Sequence, residues 1–181
     1  MTEPVFDLDL HTFRLLQQEP FFAALSRRIH KYATKSVPTA GVKLNETTSQ
    51  FEMVYNPEFF AGLPDEHKSG VLMHEFYHII FEHVTGRLPS DGMSKLWNIA
   101  TDLAINSHLQ GKLPEGCCMP GEGPFEDYPL GKAAEWYMKK LQDDQKEREE
   151  NGDGEGGEGE GDPFGDGNFD DHEGWGNASE E

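Results

Sequence analysis

The stretch MHEFYHIIFEH, from Met73 to His83, places three histidines and two glutamates inside a segment that is otherwise apolar or aromatic. Apolar residues before and within this stretch recur at helical spacing and predict one long helix from Asp65 to Val84. Burying an imidazole or a carboxylate without a partner costs a few kcal/mol, so such groups are usually solvated, paired or bound to a metal. The interpretation therefore depends on which of these groups share a face of the helix.

His74, Glu75 and His78 form the pattern His-Glu-x-x-His. Residues four apart on a helix lie on one face, with Cβ atoms about 5–6 Å apart, so both imidazoles can bind one zinc ion. Glu75 lies about 100° around the helix from His74, where it can act on a metal-bound water as general base. A chance match is the alternative, but histidines without partners would be unfavourable in so apolar a helix. We therefore expect a zinc site with His74 and His78 as ligands.

A catalytic zinc ion usually has three protein ligands and one water, so a third ligand is required. Asn98, Asp102 and Asn106 form a polar stripe on a second apolar helix, predicted over residues 90–111, and Asp102 is the expected ligand. Alternatively, Asp102 caps a neighbouring element or orients a ligating histidine. Asn98 and Asn106 are candidates for contacts that support the ligands. On a continuing helix His83 would point about 140° away from His78, so we interpret it as a helix-end or supporting residue.

The rest of the sequence predicts an α+β fold, mainly helical, with a small β-hairpin or sheet. Helical spacing runs from Leu8 to about Tyr32 with a break at Pro20, and a last helix is expected over residues 130–150. Alternation at Val42–Leu44 and at Phe51–Tyr55 predicts the hairpin. An exposed edge at either strand could pair with an extended peptide, or the hairpin could simply cover the core. We expect one domain over residues 1–140.

Residues 141–181 form an acidic tail rich in glycine, aspartate and glutamate. This tail holds sixteen of the thirty-four acidic residues and two of the fifteen basic residues, so it carries −14 of the formal net charge of −19. The composition predicts a largely disordered segment and argues against nucleic acid as a partner. The segment FDDHEGW, Phe169 to Trp175, interrupts it with two aromatic residues and His172. One hypothesis is that this segment docks near the metal site and shields it; the alternatives are a recognition motif for another protein and an ordered end with no role.

Two further features bear on location. The N-terminus has no apolar signal region and no stretch is long enough to span a membrane, so we expect a cytoplasmic protein with no membrane partner. Cys117 and Cys118 are adjacent, lack metal-type spacing and are interpreted as reduced thiols in a loop.

The segments GVLMHEFYHIIFEH (Gly70–His83) and LWNIATDLAINSHL (Leu96–Leu109), preceded by TAGVKLN and VYNPEFF, give the sequence a family resemblance. The chain resembles the zinc-metallopeptidase domain family of bacteria and their phages, which is often joined to von Willebrand factor A-like domains. The resemblance implies a zincin-like α+β fold, His74 and His78 as zinc ligands, Glu75 as catalytic base and Asp102 as the downstream acidic residue. It also implies a protein or peptide substrate.

Two functions follow as expectations. The first is hydrolysis of peptide bonds by a zinc-activated water with Glu75 as general base. The second is a non-catalytic, zinc-stabilised interaction module whose acidic tail recruits a protein partner. A structural zinc site closes its coordination with protein ligands and needs no base, so the presence of Glu75 favours the first function.

Overall fold

A computed structural model describes residues 6–150 of the chain. In this part of the chain, six α-helices and three strands confirm the predicted α+β class with a small sheet. Their order is α1 (Leu8–Gln18), α2 (Pro20–Ser26), β1 (Ile29–Ala33), β2 (Ala40–Asn45), β3 (Gln50–Tyr55), α3 (Pro57–Gly62), α4 (Asp65–Ile80), α5 (Lys95–Asn106) and α6 (Ala134–Glu150), with a single 3₁₀ turn at Gly123–Phe125.

The sheet has the order β1-β3-β2, with β1 parallel and β2 antiparallel to β3. Residues 29–33, predicted as the end of a helix, form β1, so the helical prediction is wrong there. The spacing of Leu25 and Ile29 also fits a helix, but the backbone pairs with β3, in register from Ile29 opposite Phe51 to Ala33 opposite Tyr55. This pairing is between residues far apart in sequence, which local periodicity does not report.

The predicted β-hairpin is present as β2 and β3, with Val42 opposite Met53 and both side chains buried. Because β3 lies between β1 and β2, the prediction that Phe51–Tyr55 could offer a free edge is wrong. Within residues 6–150, β2 pairs with β3 on one side and with no strand on the other. Of the two edge strands of this sheet, β2 is the one that packs against α4.

Helix α4 is the centre of the fold, because it packs against β2, α1, α2 and α5. One core cluster surrounds it and the inner face of the sheet, including Met53, Leu72 and Phe76. A second cluster joins α5 to α6 and includes Trp97, Leu103 and Tyr137. Helix α5 belongs to both clusters, because its Ile105 lies in the first.

The close approach of α4 to the loop that follows α5 depends on a glycine. A Cβ atom added at Gly70 would lie 1.8 Å from the backbone oxygen of Lys112, far inside van der Waals contact. Only glycine therefore allows α4 to approach this backbone so closely.

Helices α5 and α6 are shorter than their predicted ranges. The segment predicted over residues 90–111 is helical only from Lys95, because the Ser94 side chain caps the helix by accepting a hydrogen bond from the Trp97 N–H at 3.1 Å. The last helix begins at Ala134 rather than at residue 130 and ends at Glu150.

The domain boundary predicted at residue 140 stays a prediction, as does the cytoplasmic location. Helix α6 continues across that boundary to Glu150. Residues 141–150 of the predicted tail belong to α6, whereas the predicted disorder of its remainder and the role of its Phe169–Trp175 segment fall outside the described residues. Among residues 6–150, no helix combines the length and the apolar character needed to cross a bilayer.

Candidate metal centre

Helix α4 presents His74, Glu75 and His78 to the interior of the protein. Both histidines are 0% exposed and Glu75 is 2% exposed. These polar groups are buried because neighbouring positions of the helix, such as Leu72 and Phe76, belong to the first core cluster. Three titratable side chains are thus held without direct access to solvent, where an interaction with a cation is worth far more than at the surface.

Asp102 on α5 completes a compact group with the two histidines, and no other such group of three occurs in the described part of the chain. The Nε2 atoms of His74 and His78 lie 3.1 Å apart. Oδ1 of Asp102 is 3.5 Å from Nε2 of His74 and 3.4 Å from Nε2 of His78. Asp102 is only 5% exposed, and within residues 6–150 its Oδ1 accepts no hydrogen bond.

These three separations fit a bound metal ion. Donor atoms at about 2.0–2.2 Å from a tetrahedral metal lie about 3.4 Å from one another. Two imidazole nitrogens and one carboxylate oxygen are also a common donor set of catalytic metal sites. The geometry and the chemistry of His74, His78 and Asp102 therefore match a site for one divalent ion.

Asn106, one turn after Asp102 on α5, contacts the histidine on the other helix. Its Oδ1 lies 2.8 Å from Nδ1 of His74, and its Nδ2 donates a hydrogen bond of 2.8 Å to the backbone oxygen of Cys118. The side chain is 1% exposed. The predicted polar stripe of α5 thus faces α4, with Asn98 buried one turn before Asp102.

Helix α4 ends at Ile80, four residues earlier than predicted, and the chain then reverses. Glu82 adopts a left-handed conformation with φ of 59°. The N–H of His83 donates to the His78 oxygen at 2.9 Å and the N–H of Glu82 donates to the Ile79 oxygen at 3.1 Å, which is the hydrogen-bond pattern of a Schellman motif. Because this position usually holds glycine, a glutamate there gives no stop signal in the sequence.

The reversal turns His83 inward, so the prediction of a helix that continues past it is wrong. Its side chain is 0% exposed and its ring contacts the ring of His78, with centroids 5.4 Å apart. The His83 ring also contacts the ring of Trp97, and the indole N–H of Trp97 donates a hydrogen bond to the backbone oxygen of His83 at 3.3 Å. His83 therefore supports a candidate ligand by packing, although it is not one of the three clustered donors.

Within the described part of the chain, neither ring nitrogen of His83 has a hydrogen-bond partner. Burial, and next the charge of Arg87, lower the pKa of His83 to about 4 from an ordinary value of 6.5. The imidazole is therefore neutral at pH 7.

This pKa predicts a pH dependence of stability. The unfolded chain binds a proton at His83 near pH 6.5, whereas the folded protein does so only near pH 4. Protonation of His83 therefore leaves the free energy of unfolding unchanged above pH 6.5 and lowers it as the pH decreases towards 4. The free energy of unfolding should fall by about 3 kcal/mol more for the parent than for His83→Leu over this interval. Urea unfolding of the metal-free proteins between pH 7 and pH 4 measures the difference.

A matched control is His108→Leu, which removes an exposed histidine just beyond α5. This variant should keep the pH dependence of the parent. If His83→Leu also keeps it, protonation of His83 does not contribute to acid destabilisation.

Of the residues predicted for the site, the structure brings together His74, His78 and Asp102 directly. It places Asn106 and His83 against the two histidines and Asn98 on the same face of α5. Glu75 lies next to His74 and is buried with it. The prediction for His172 falls beyond the part of the chain that the structure describes.

The fold and the cluster define an α+β protein with a buried metal-binding site shared by two helices. Residues 7–172 match the family described as "Putative metallopeptidase domain", and because this match covers most of the chain, the chain belongs to that family. The His-His-Asp cluster, which could hold a metal ion, fits the description of this family.

The chain is also similar to an uncharacterized protein of Thermotoga maritima, with 28% identity over 94 residues. The matched residues are 51% of this chain and 23% of that protein, so the chain spans less than a quarter of the length of this relative. No solved structure matches the chain significantly.

Proposed function

We propose that the protein is a zinc-dependent peptidase whose ion is held by His74, His78 and Asp102. The observation that carries the proposal is the triangle of donor atoms, with sides of 3.1, 3.4 and 3.5 Å, buried on two helices of a metallopeptidase family member. Zinc suits two imidazoles and one carboxylate, and it supplies Lewis-acid chemistry by lowering the pKa of water to about 7 and polarising a carbonyl.

The residues of the chain then have separate tasks. Glu75 accepts the proton of the attacking water and returns it to the amine that leaves when the peptide bond breaks. Glu75 adjoins His74 in the sequence and is buried with it, and this burial limits competition from bulk solvent. Asn106 and His83 hold the rings of the two histidines by hydrogen bonding and by packing, respectively.

The substrate would bind as an extended strand along β2. Strand β2 packs against α4 and, within residues 6–150, has no strand on its outer side. Backbone hydrogen bonds to such an edge would bind a peptide in a fixed register with little dependence on its side chains. This arrangement suits a protein or peptide substrate with a short extended segment.

Docking of residues 169–175 over the metal is a further part of the proposal. The family match extends to residue 172 and so includes most of this segment, which favours a role within the domain. In that role His172 or a neighbouring aspartate would approach the remaining coordination position and shield the site.

The alternative, a zinc-stabilised interaction module, requires a closed coordination shell of four protein ligands. In residues 6–150 the cluster has three donors, which leaves one coordination position for water or substrate. This count favours a catalytic site.

Removing the ligands tests the proposal. His74→Ala, His78→Ala and Asp102→Ala should each lose stoichiometric zinc, because every variant deletes one of three donors and leaves the others with an incomplete shell. Competition with a chromophoric chelator measures the zinc affinity, and elemental analysis measures the content. Asp143→Ala, which removes an exposed carboxylate of α6, is the matched control and should bind zinc as the parent does.

The outcomes distinguish an error in one ligand from an error in the whole proposal. If Asp102→Ala alone keeps the parental affinity, Asp102 is not a ligand. If the parent itself takes up no stoichiometric zinc after reconstitution, the proposed function is wrong.

A further inference from the structure

The side chain of Asn106 connects the candidate metal site to the loop that follows α5. It makes two hydrogen bonds of 2.8 Å, one with Nδ1 of His74 and one with the backbone oxygen of Cys118. Asn106 is buried, so solvent does not compete for either bond. A buried amide that uses both of its ends is fixed in orientation.

The bond to Cys118 determines which end of the amide faces which partner. A backbone carbonyl only accepts hydrogen bonds, so the group that contacts the Cys118 oxygen must be the NH₂ of Asn106. The amide oxygen must then face His74, and it can only accept. Nδ1 of His74 therefore carries the proton of this hydrogen bond.

The proton on Nδ1 leaves Nε2 of the neutral ring with its lone pair. Nε2 is the atom that lies 3.5 Å from Asp102 and 3.1 Å from His78. Only an unprotonated nitrogen can bind a metal, so the orientation of the Asn106 amide selects the tautomer of His74 that the site requires.

We propose that Asn106 is a positioning residue that holds His74 in the Nδ1–H tautomer, and that the Cys118 carbonyl orients it for this role. The effect on metal affinity rests on the proposed function, whereas the tautomer itself does not. The assignment extends the site beyond the α4–α5 pair, because a loop that contributes no ligand determines how a ligand presents its lone pair.

The loop is well placed to hold that carbonyl still. Cys117 donates from Sγ to the Pro114 oxygen at 3.0 Å and packs against the first core cluster. Cys118 packs against the second cluster. The two adjacent residues therefore pack against different core clusters. The peptide group that joins Cys118 to Met119 has little freedom to turn its carbonyl away from Asn106.

The test compares Asn106→Ala with Asn106→Asp. Nitrogen-15 chemical shifts and long-range couplings of the imidazole report the tautomer of His74 in metal-free protein, and chelator competition reports zinc affinity. In Asn106→Ala, a substantial fraction of the His74 rings should carry the proton on Nε2. Zinc binding should weaken about 10–100-fold, as is usual when a partner of a ligating histidine is removed. Asn106→Asp should keep the Nδ1–H tautomer, because a carboxylate still accepts from Nδ1.

Ser107→Ala is the matched control. It acts at the next residue of the chain, where it removes the hydrogen bonds of the Ser107 hydroxyl with the Leu103 oxygen and with the Tyr137 hydroxyl, and neither bond involves His74. It should leave both the tautomer and the zinc affinity unchanged, which separates the specific effect from a general loosening of the end of α5.

The inference is overturned if Asn106→Ala keeps the Nδ1–H tautomer, or if Asn106→Asp loses it as Asn106→Ala does. A parent that binds no zinc would contradict the proposed function instead, while a tautomer shift in its metal-free Asn106→Ala variant would still support the role of Asn106.

Discussion

Glu75→Gln is expected to reduce peptide hydrolysis by a factor of about 10²–10⁴, while zinc binding and folding stay close to those of the parent. Glutamine has nearly the same shape as glutamate but cannot accept the proton of the attacking water. Both histidines and Asp102 remain, so the donor triangle is unchanged. Cleavage of a peptide library, with zinc content measured on the same samples, tests the two parts of this expectation together.

The matched control is Glu66→Gln, which makes the same change at an exposed position in the first turn of α4. It should retain full activity. Equal cleavage rates for Glu75→Gln and the parent would contradict the role of Glu75 as general base. A parent that holds zinc stoichiometrically but cleaves no peptide would instead support the interaction module.

Gly70→Ala is expected to destabilise the protein by about 3 kcal/mol or more, at the upper end for overpacked positions. The added methyl group would meet the backbone of Lys112, with its oxygen at 1.8 Å and its carbonyl carbon at 2.7 Å. Backbone atoms cannot rotate away as a flexible side chain can, so α4 and the loop must separate. Urea unfolding of the metal-free protein gives the change in the free energy of unfolding.

Gly62→Ala provides the comparison, because it adds the same methyl group at the exposed end of α3 with nothing within 4 Å. It should be neutral or stabilise the protein by up to about 1 kcal/mol by restricting the unfolded chain. Similar free energies of unfolding for the two variants would show that the close approach at Gly70 is not tight in solution.

The fold could be predicted from the sequence where one element determines its own pattern. The apolar spacing of α4 and the alternation in β2 and β3 depend on which face each element buries, and both were identified with the correct type. Strand β1 was missed because its stability comes from pairing with β3, more than twenty residues away along the chain. The close contact at Gly70 could not be predicted for the same reason, since nothing in the local sequence indicates where Lys112 lies.

The group of three donor residues could be predicted from the sequence, because metal binding restricts the residue types and spacings that can form it. Two histidines four residues apart share a face, and a single carboxylate in an apolar helix needs a cation as partner. The grouping of His74, His78 and Asp102 was therefore predicted from spacing, burial and ligand chemistry together. The inward turn of His83 did not follow, because it depends on a left-handed glutamate at position 82. The orientation of Asn106 depends on a carbonyl twelve residues later, which no spacing rule reports.

The position of the donor triangle between the two core clusters has a consequence for folding. His74 and His78 come from α4, and Asp102 comes from α5, which contributes Ile105 to the first cluster and Trp97 and Leu103 to the second. The donors are complete only when α5 is docked against α4. A bound ion therefore favours the docked state over any state in which the two helices have separated, by an amount that grows with the logarithm of the free metal concentration. Metal availability would then control the cooperativity of unfolding: the loaded protein melts as one unit, and depletion of metal lets the α5–α6 half open separately.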